Sequence, residues 1–188
     1  KNQMVVVRRC FIQQPLQELY IMQVNLLKNP SERINGMHLL VLICIGETSY
    51  YKMNFFFKVG IYFEDMQMLP RVFLAAQKIA CMDGVFYHYV VRENSIMTSQ
   101  KDTKKKNNSI QNLREWKEQF DHVQDAELRK ILYGMLVKCY LHECRVYGIT
   151  KWEIDGVDFK FVVNNSLNFK EKIKGLLFAL LPKCYVRV

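Results

Sequence analysis

No cysteine pair in this 188-residue chain has C-x-x-C spacing, and no apolar run approaches the roughly 20 residues that cross a bilayer. The first absence argues against a zinc site. Cys10, Cys44, Cys81, Cys139, Cys144 and Cys184 are scattered, mostly among apolar neighbours, as expected of reduced thiols in a cytosolic protein. Cys139, His142 and Cys144 share the segment "CYLHEC", but no second ligand pair accompanies them, so helix packing is their expected use. The longest apolar runs, "LLVLICI" at 39–45 and "LLFALL" at 176–181, are too short to span a membrane. No signal-peptide pattern, internal repeat or low-complexity tract is present. No helix-turn-helix, finger or aromatic RNA-binding signature appears either, so no specific nucleic-acid partner is expected.

What is there is a core-forming composition with a basic surface. Half of the residues are hydrophobic and the formal net charge is +9, with a pI near 9.2. That excludes a disordered chain and favours anionic partners: acidic lipid, phosphorylated small molecules or nucleic acid. The chain begins at Lys1 rather than Met, as expected of a piece of a longer protein.

The periodicity predicts an α/β, helix-dominated fragment with a few strands followed by C-terminal helices. "MVVVRRCFI" reads as a strand, "LQELYIMQVNLLKN" as a helix stopping before Pro30, and "MHLLVLICIG" as a buried strand. A helix follows Glu64-Asp65, with Met66, Leu69, Phe73, Ala76 and Ala80 on one face and Pro70 in its first turn. "DGVFYHYVV" reads as a turn and a strand buried on both faces, in which His88 is a packed residue. "SQKDTKKKNNS", 99–109, reads as a solvated lysine-rich loop. Ile110 to Gly148 is helical, with a break at Asp121-His122 and Gly148 as a stop. A turn is expected at Asp155-Gly156. Asn168 is a good N-cap for a last helix on which Phe169, Ile173, Leu176, Leu177 and Leu180 share a face flanked by Lys170, Lys172, Lys174 and Lys183. Such a face either docks on its own domain or lies on an anionic membrane surface, through residues 168–188. Two regions are expected: 1–99 and a helical 110–188.

The stretch from Phe55 to Ser99 carries an ordered set: Phe57, Gly60, Tyr62, Glu64-Asp65, Pro70-Arg71, Tyr87-x-Tyr89, then Arg92 and Ser95-Ile96. This set resembles the second half of a bacterial family 2 glycosyltransferase, and "FKEKIKGLLFALLPKCYVRV" is similar to the basic-apolar tail of capsule and lipopolysaccharide enzymes in that group. The resemblance implies a GT-A-like, inverting transferase that moves a sugar from a nucleotide-sugar donor to a glycan or lipid-linked acceptor in surface polysaccharide synthesis. Its place would be cytoplasmic, or peripheral on the inner face of the cytoplasmic membrane. Asp65 would be the base that takes the acceptor's proton and Glu64 would hold the local geometry. Gly60 and Tyr62 would face the acceptor, with Phe63 beside them. Arg92 and Ser95 would sit near the donor phosphates, where a guanidinium fork suits two phosphate oxygens. A divalent metal, Mn or Mg, is expected in the full-length enzyme, none on this chain alone.

The sequence departs from the family in several places. It has no Asp-x-Asp, the motif that holds metal and diphosphate, and no glycine-rich start. The tryptophan and tyrosine-arginine pair expected before the match are replaced by "LVLICIGETSYYKMNFFF", and the processive Gln-x-x-Arg-Trp motif is absent. The expectation is therefore the acceptor side of a single-sugar transferase, lacking the donor-binding half and inactive alone. The alternative is a non-enzymatic basic helical interaction module, for which Glu64-Asp65 merely complements a helix dipole.

Overall fold

The computed structural model describes residues 4–6, 9–11, 56–75, 80–82, 88–90, 96 and 100–187. The chain divides into two compact units, Lys1–Gln100 and Lys101–Val188. The expected elements at 12–50 and the residues Arg92 and Ser95 lie outside the described residues.

In the first unit, β1 (Met4–Val6) pairs antiparallel with β4 (His88–Val90), and β2 (Arg9–Phe11) pairs antiparallel with β3 (Ala80–Met82). The α/β expectation is corrected here. Helix dominates the described residues, and no parallel sheet forms among them. Each extended segment is three residues long with one partner, too little to form the sheet layer that an α/β fold packs its helices against. α1 (Glu64–Ala75) starts at the predicted carboxylates but ends before Ala80, which opens β3 instead. Pro70 lies inside α1 beyond its first turn, so the helix forgoes one backbone bond there.

The second unit is all helix. α2 (Thr103–Asp121) and α3 (Ala126–Tyr147) form a hairpin whose core is Leu113, Trp116 and Phe120 against Leu136, Val137, Tyr140, Leu141 and Cys144. Capping explains where these helices start. Asp102 accepts from the Lys105 amide at 2.7 Å, and Asp125 accepts from those of Glu127 and Leu128 at 2.9 Å. Gly148, at φ 66°, ends α3 in the left-handed conformation that glycine adopts without a Cβ penalty. The segment 103–109 is thus helix, not the expected solvated loop. Asp102 caps it, and Lys105, Ser109 and Asn112 are buried on the stripe that continues into Leu113 and Trp116.

α4 (Phe159–Asn165), capped by Asp158, and α5 (Phe169–Leu180), capped by Asn168, pack on this hairpin, and the short α6 (Pro182–Tyr185) follows. Phe178 lies edge-on to Trp152 (centroids 4.6 Å apart), to Tyr185 (5.6 Å) and to Tyr140 (6.4 Å). The Tyr185 hydroxyl donates to the Leu141 carbonyl at 2.9 Å and ties α6 to α3. α5 faces inward through Glu171, Gly175 and Phe178; Phe169, Ile173, Leu176 and Leu180 are exposed. Of the face expected to dock on the chain's own domain, Leu177 is half-buried and the other four residues are exposed, so α5 docks mainly through the opposite side.

Gly175 is required by closeness: a Cβ there would collide with Val162 Cγ1. Gly175→Ala is expected to lower the urea midpoint, although alanine gains about 1 kcal/mol of helix propensity over glycine. Adding Val162→Ala should recover part of that loss relative to the sum of the single changes. Simple additivity of the two would mean the helices do not touch at this point.

Candidate functional site

The carboxylate pair sits at a backbone corner. Gly60 has φ 82° and nothing within 4 Å of a would-be Cβ, so conformation rather than space calls for glycine. Phe63 has φ 61°, and no other non-glycine among the described residues has a positive φ. An aromatic side chain there is costly, of order 1–3 kcal/mol, and such strain concentrates at functional sites. Directly after it, Glu64 and Asp65 open α1. The Phe63 carbonyl accepts from the Gln67 amide at 3.2 Å, and Asp65 Oδ1 accepts from the Met66 amide at 2.8 Å. The helix is thus entered without the Ser, Thr, Asp or Asn that usually caps it, and Asp65 satisfies one of its first donors from within. Arg71 Nη1 donates to the Phe56 carbonyl at 3.3 Å and ties the incoming loop to the helix.

Burial grades across this corner. Gly60 is exposed, Tyr62, Phe63, Glu64 and Asp65 are half-buried, and Gln67 to Pro70 are buried. The Tyr62 and Phe63 rings stand 6.4 Å apart, tilted by 50°. Gly60, Tyr62, Glu64 and Asp65 therefore lie on one turn and helix start, with both carboxylates beside the partial positive charge of the helix N-terminus. A half-buried carboxylate held this way can accept a proton from a hydroxyl brought against it. Arg92 and Ser95, expected at donor phosphates, fall outside the described residues.

Among the described residues no three His, Cys, Asp or Glu side chains are grouped to hold a metal ion. In α3, His142 is exposed while Cys144 is buried, so the "CYLHEC" residues do not converge. Burial pushes the Cys144 thiol up to about 12. The divalent metal that the resemblance implies finds no ligand set in these residues, and no chemical step is routed through one.

Sequence reasoning missed a polar network in the second unit. Ser109 Oγ donates to Glu143 Oε2 at 2.6 Å, joining α2 to α3. Lys106 pairs with Glu153 at 2.8 Å, and Arg114 donates Nε and Nη2 to the Glu153 carbonyl at 3.1 and 2.7 Å. The Tyr140 hydroxyl accepts from the Glu153 amide at 2.8 Å and donates to the Lys151 carbonyl at 3.2 Å. A signal was present: Ser109 continues the spacing of Leu113, Trp116 and Phe120 by one turn. Assigning 99–109 to a loop hid it.

Burial raises the Glu143 carboxyl above its ordinary value, against the opposing bond from Ser109. A carboxyl raised in the folded state holds its proton longer than in the unfolded chain. Stability from this group therefore falls as pH rises through the window between the two values. Glu143→Gln, which keeps an acceptor for Ser109, is expected to remove that decline. Urea midpoints from about pH 4 to 7 should diverge, with the wild type losing ground to the variant as pH rises. Parallel profiles would show that the carboxyl is not shifted.

Compared with protein-family models, with curated proteins and with solved structures, the chain matches none.

Proposed function

We propose that residues 56–75 form the acceptor-side, base-bearing corner of an inverting sugar transferase acting in surface polysaccharide synthesis. The observation that carries this reading is the strained Phe63 immediately before Glu64-Asp65. Strain of this kind persists only where surrounding contacts over-determine it, and it singles out the same pair that the ordered sequence set singles out. The donor is a nucleotide sugar and the acceptor a hydroxyl of a glycan or lipid-linked sugar. Asp65 takes the hydroxyl proton as that oxygen bonds to the anomeric carbon. The bond from that carbon to the diphosphate breaks, and its electron pair leaves with the nucleoside diphosphate. One base suffices, because the diphosphate is already a good leaving group; a glycosidase needs two separated carboxylates. Glu64 holds the turn, and Tyr62 offers a ring face to the sugar's C–H groups. Arg92 and Ser95 serve the donor phosphates, and a divalent metal, Mn or Mg, belongs to the complete enzyme. The setting is cytoplasmic, at the inner face of the membrane. No helix among the described residues is long and apolar enough to cross a membrane.

A second reading, a basic helical interaction module without catalysis, is favoured by one observation: the exposed apolar face of α5 with its lysine neighbours.

The deciding experiment is transfer of labelled sugar from nucleotide sugars by the natural polypeptide that contains these residues, compared with its Asp65→Asn variant. Transfer by the variant should fall roughly 10²–10⁴-fold at an unchanged melting temperature. Equal transfer by both proteins removes Asp65 as the base. Absence of any transfer by the natural polypeptide leaves the interaction module as the better reading.

A further inference from the structure

The outer face of α5 has the chemistry of a membrane contact. At 100° per residue, Phe169, Ile173, Leu176 and Leu180 fall within an arc of roughly 60°. The inward residues Glu171, Gly175 and Phe178 lie roughly opposite. All four outward side chains are exposed, Phe169 to 76% and Leu180 to 69%, and Leu181 extends the surface at 54%. Large apolar side chains in an unbroken exposed row are unusual on a water-facing helix.

Charge complementarity names the occupant. Lys172 borders the apolar arc on one side; on the other, half-buried Leu177 and then exposed Lys170 follow, with Lys174 exposed further round and Lys183 in α6. The one carboxylate of α5, Glu171, is turned inward, where it accepts from the Leu167 amide at 3.1 Å and the Asn168 side chain at 3.2 Å. The outer face thus offers apolar bulk and positive charge with no acid between them. A helix of 12 residues, about 18 Å long, is too short to cross a bilayer but suits lying in its plane.

We infer that the outward face of α5, with Leu181 and Lys183, is a docking surface for an anionic lipid bilayer, with Phe169, Ile173, Leu176 and Leu180 entering the headgroup boundary and the lysines meeting lipid phosphates. The neighbouring packing makes this face stable in water. On the opposite side Phe178 packs against Tyr140 of α3 and Trp152 of the following loop, and Gly175 lies close to Val162 of α4, so the lipid-facing residues are presented without the helix having to refold. This contact does not depend on sugar transfer and is read without an activity assay.

The test is co-sedimentation of the chain with vesicles of phosphatidylcholine alone and of phosphatidylcholine mixed with phosphatidylglycerol, at low and high salt. Binding to the mixed vesicles, weakened by salt, is expected. Ile173→Ser with Leu176→Ser and Leu180→Ser should abolish binding, a loss of at least ~100-fold, and leave the lipid-free melting temperature unchanged. Lys170→Gln with Lys172→Gln and Lys174→Gln should weaken binding to the mixed vesicles ~100-fold, and Lys130→Gln on α3 should have little effect. Absence of wild-type binding to the mixed vesicles at low salt overturns the proposal. So does equal loss from Lys130→Gln. A lowered melting point of the serine variant without lipid, or a dimer that this variant disrupts, also overturns it, since the face would then be covered by protein.

Discussion

The burial of Phe178 is the constraint on which the C-terminal half of this structure depends. Its ring is met edge-on by Tyr140, Trp152 and Tyr185, from α3, the following loop and α6. Once Phe178 points inward, the rotation of α5 is set. Gly175 then comes against Val162, Glu171 folds back over the helix start, and the leucine-rich arc turns outward. The opposite rotation would bury a comparable apolar area but would draw the bordering Lys172 toward the interior, where an ammonium is costly. It would also lose the close approach that only a glycine permits. Three aromatic edges, a close helix contact and lysines left in water outweigh a simple count of leucines.

The same aromatic group organises the loop after α3. Tyr140 stacks on Trp152 while its hydroxyl bridges the backbone at Lys151 and Glu153. Arg114 and Lys106 reach the same stretch from α2. Nearby, Lys117 binds both Asp121 oxygens at 2.7 Å and lies over the rings of Tyr133 and Phe161 at 5.4 and 5.5 Å. Burial works to raise the Asp121 carboxyl, yet the bonds from Lys117 and Tyr133 prevail and hold it below its ordinary value. The basic residues on this side of α2 thus act as cross-links. The lysines of α5 are directed to water.

In the first unit the corner at Gly60 to Asp65 has a different character. It is built on a loop, with an aromatic residue in a conformation usually left to glycine. Two hydrogen bonds, from the Gln67 amide to the Phe63 carbonyl and from the Arg71 guanidinium to the Phe56 carbonyl, hold it in place. A position selected for stability alone would carry glycine or asparagine at Phe63. Keeping phenylalanine there sets the ring beside Tyr62 and delivers both carboxylates into the first turn of α1. That cost is what gives the sugar-transfer reading its physical support.

What the sequence by itself determined is several of the helix boundaries, though not the end of α1 or the start of α2. Asn168, Gly148 and the start at Glu64-Asp65 are where the residues indicated, and in the turn expected at Asp155-Gly156 the glycine has φ 72°. Capping and turn chemistry act within about four residues, so a local reading can find them. Of the candidate site, Gly60, Tyr62, Glu64 and Asp65 were legible as neighbours in order along the chain; the backbone strain at Phe63 left no mark in composition or spacing. Tertiary structure alone decided the rest. Lysine-rich 103–109 became helix because Ser109 meets Glu143, 34 positions away, and Lys105 finds a buried place on the stripe. The expected α/β class gave way to helices and short antiparallel pairs because strand pairing is a long-range choice. The face of α5 turned outward because Phe178 had three aromatic partners waiting, and helical periodicity shows which residues share a face without showing which face finds a partner.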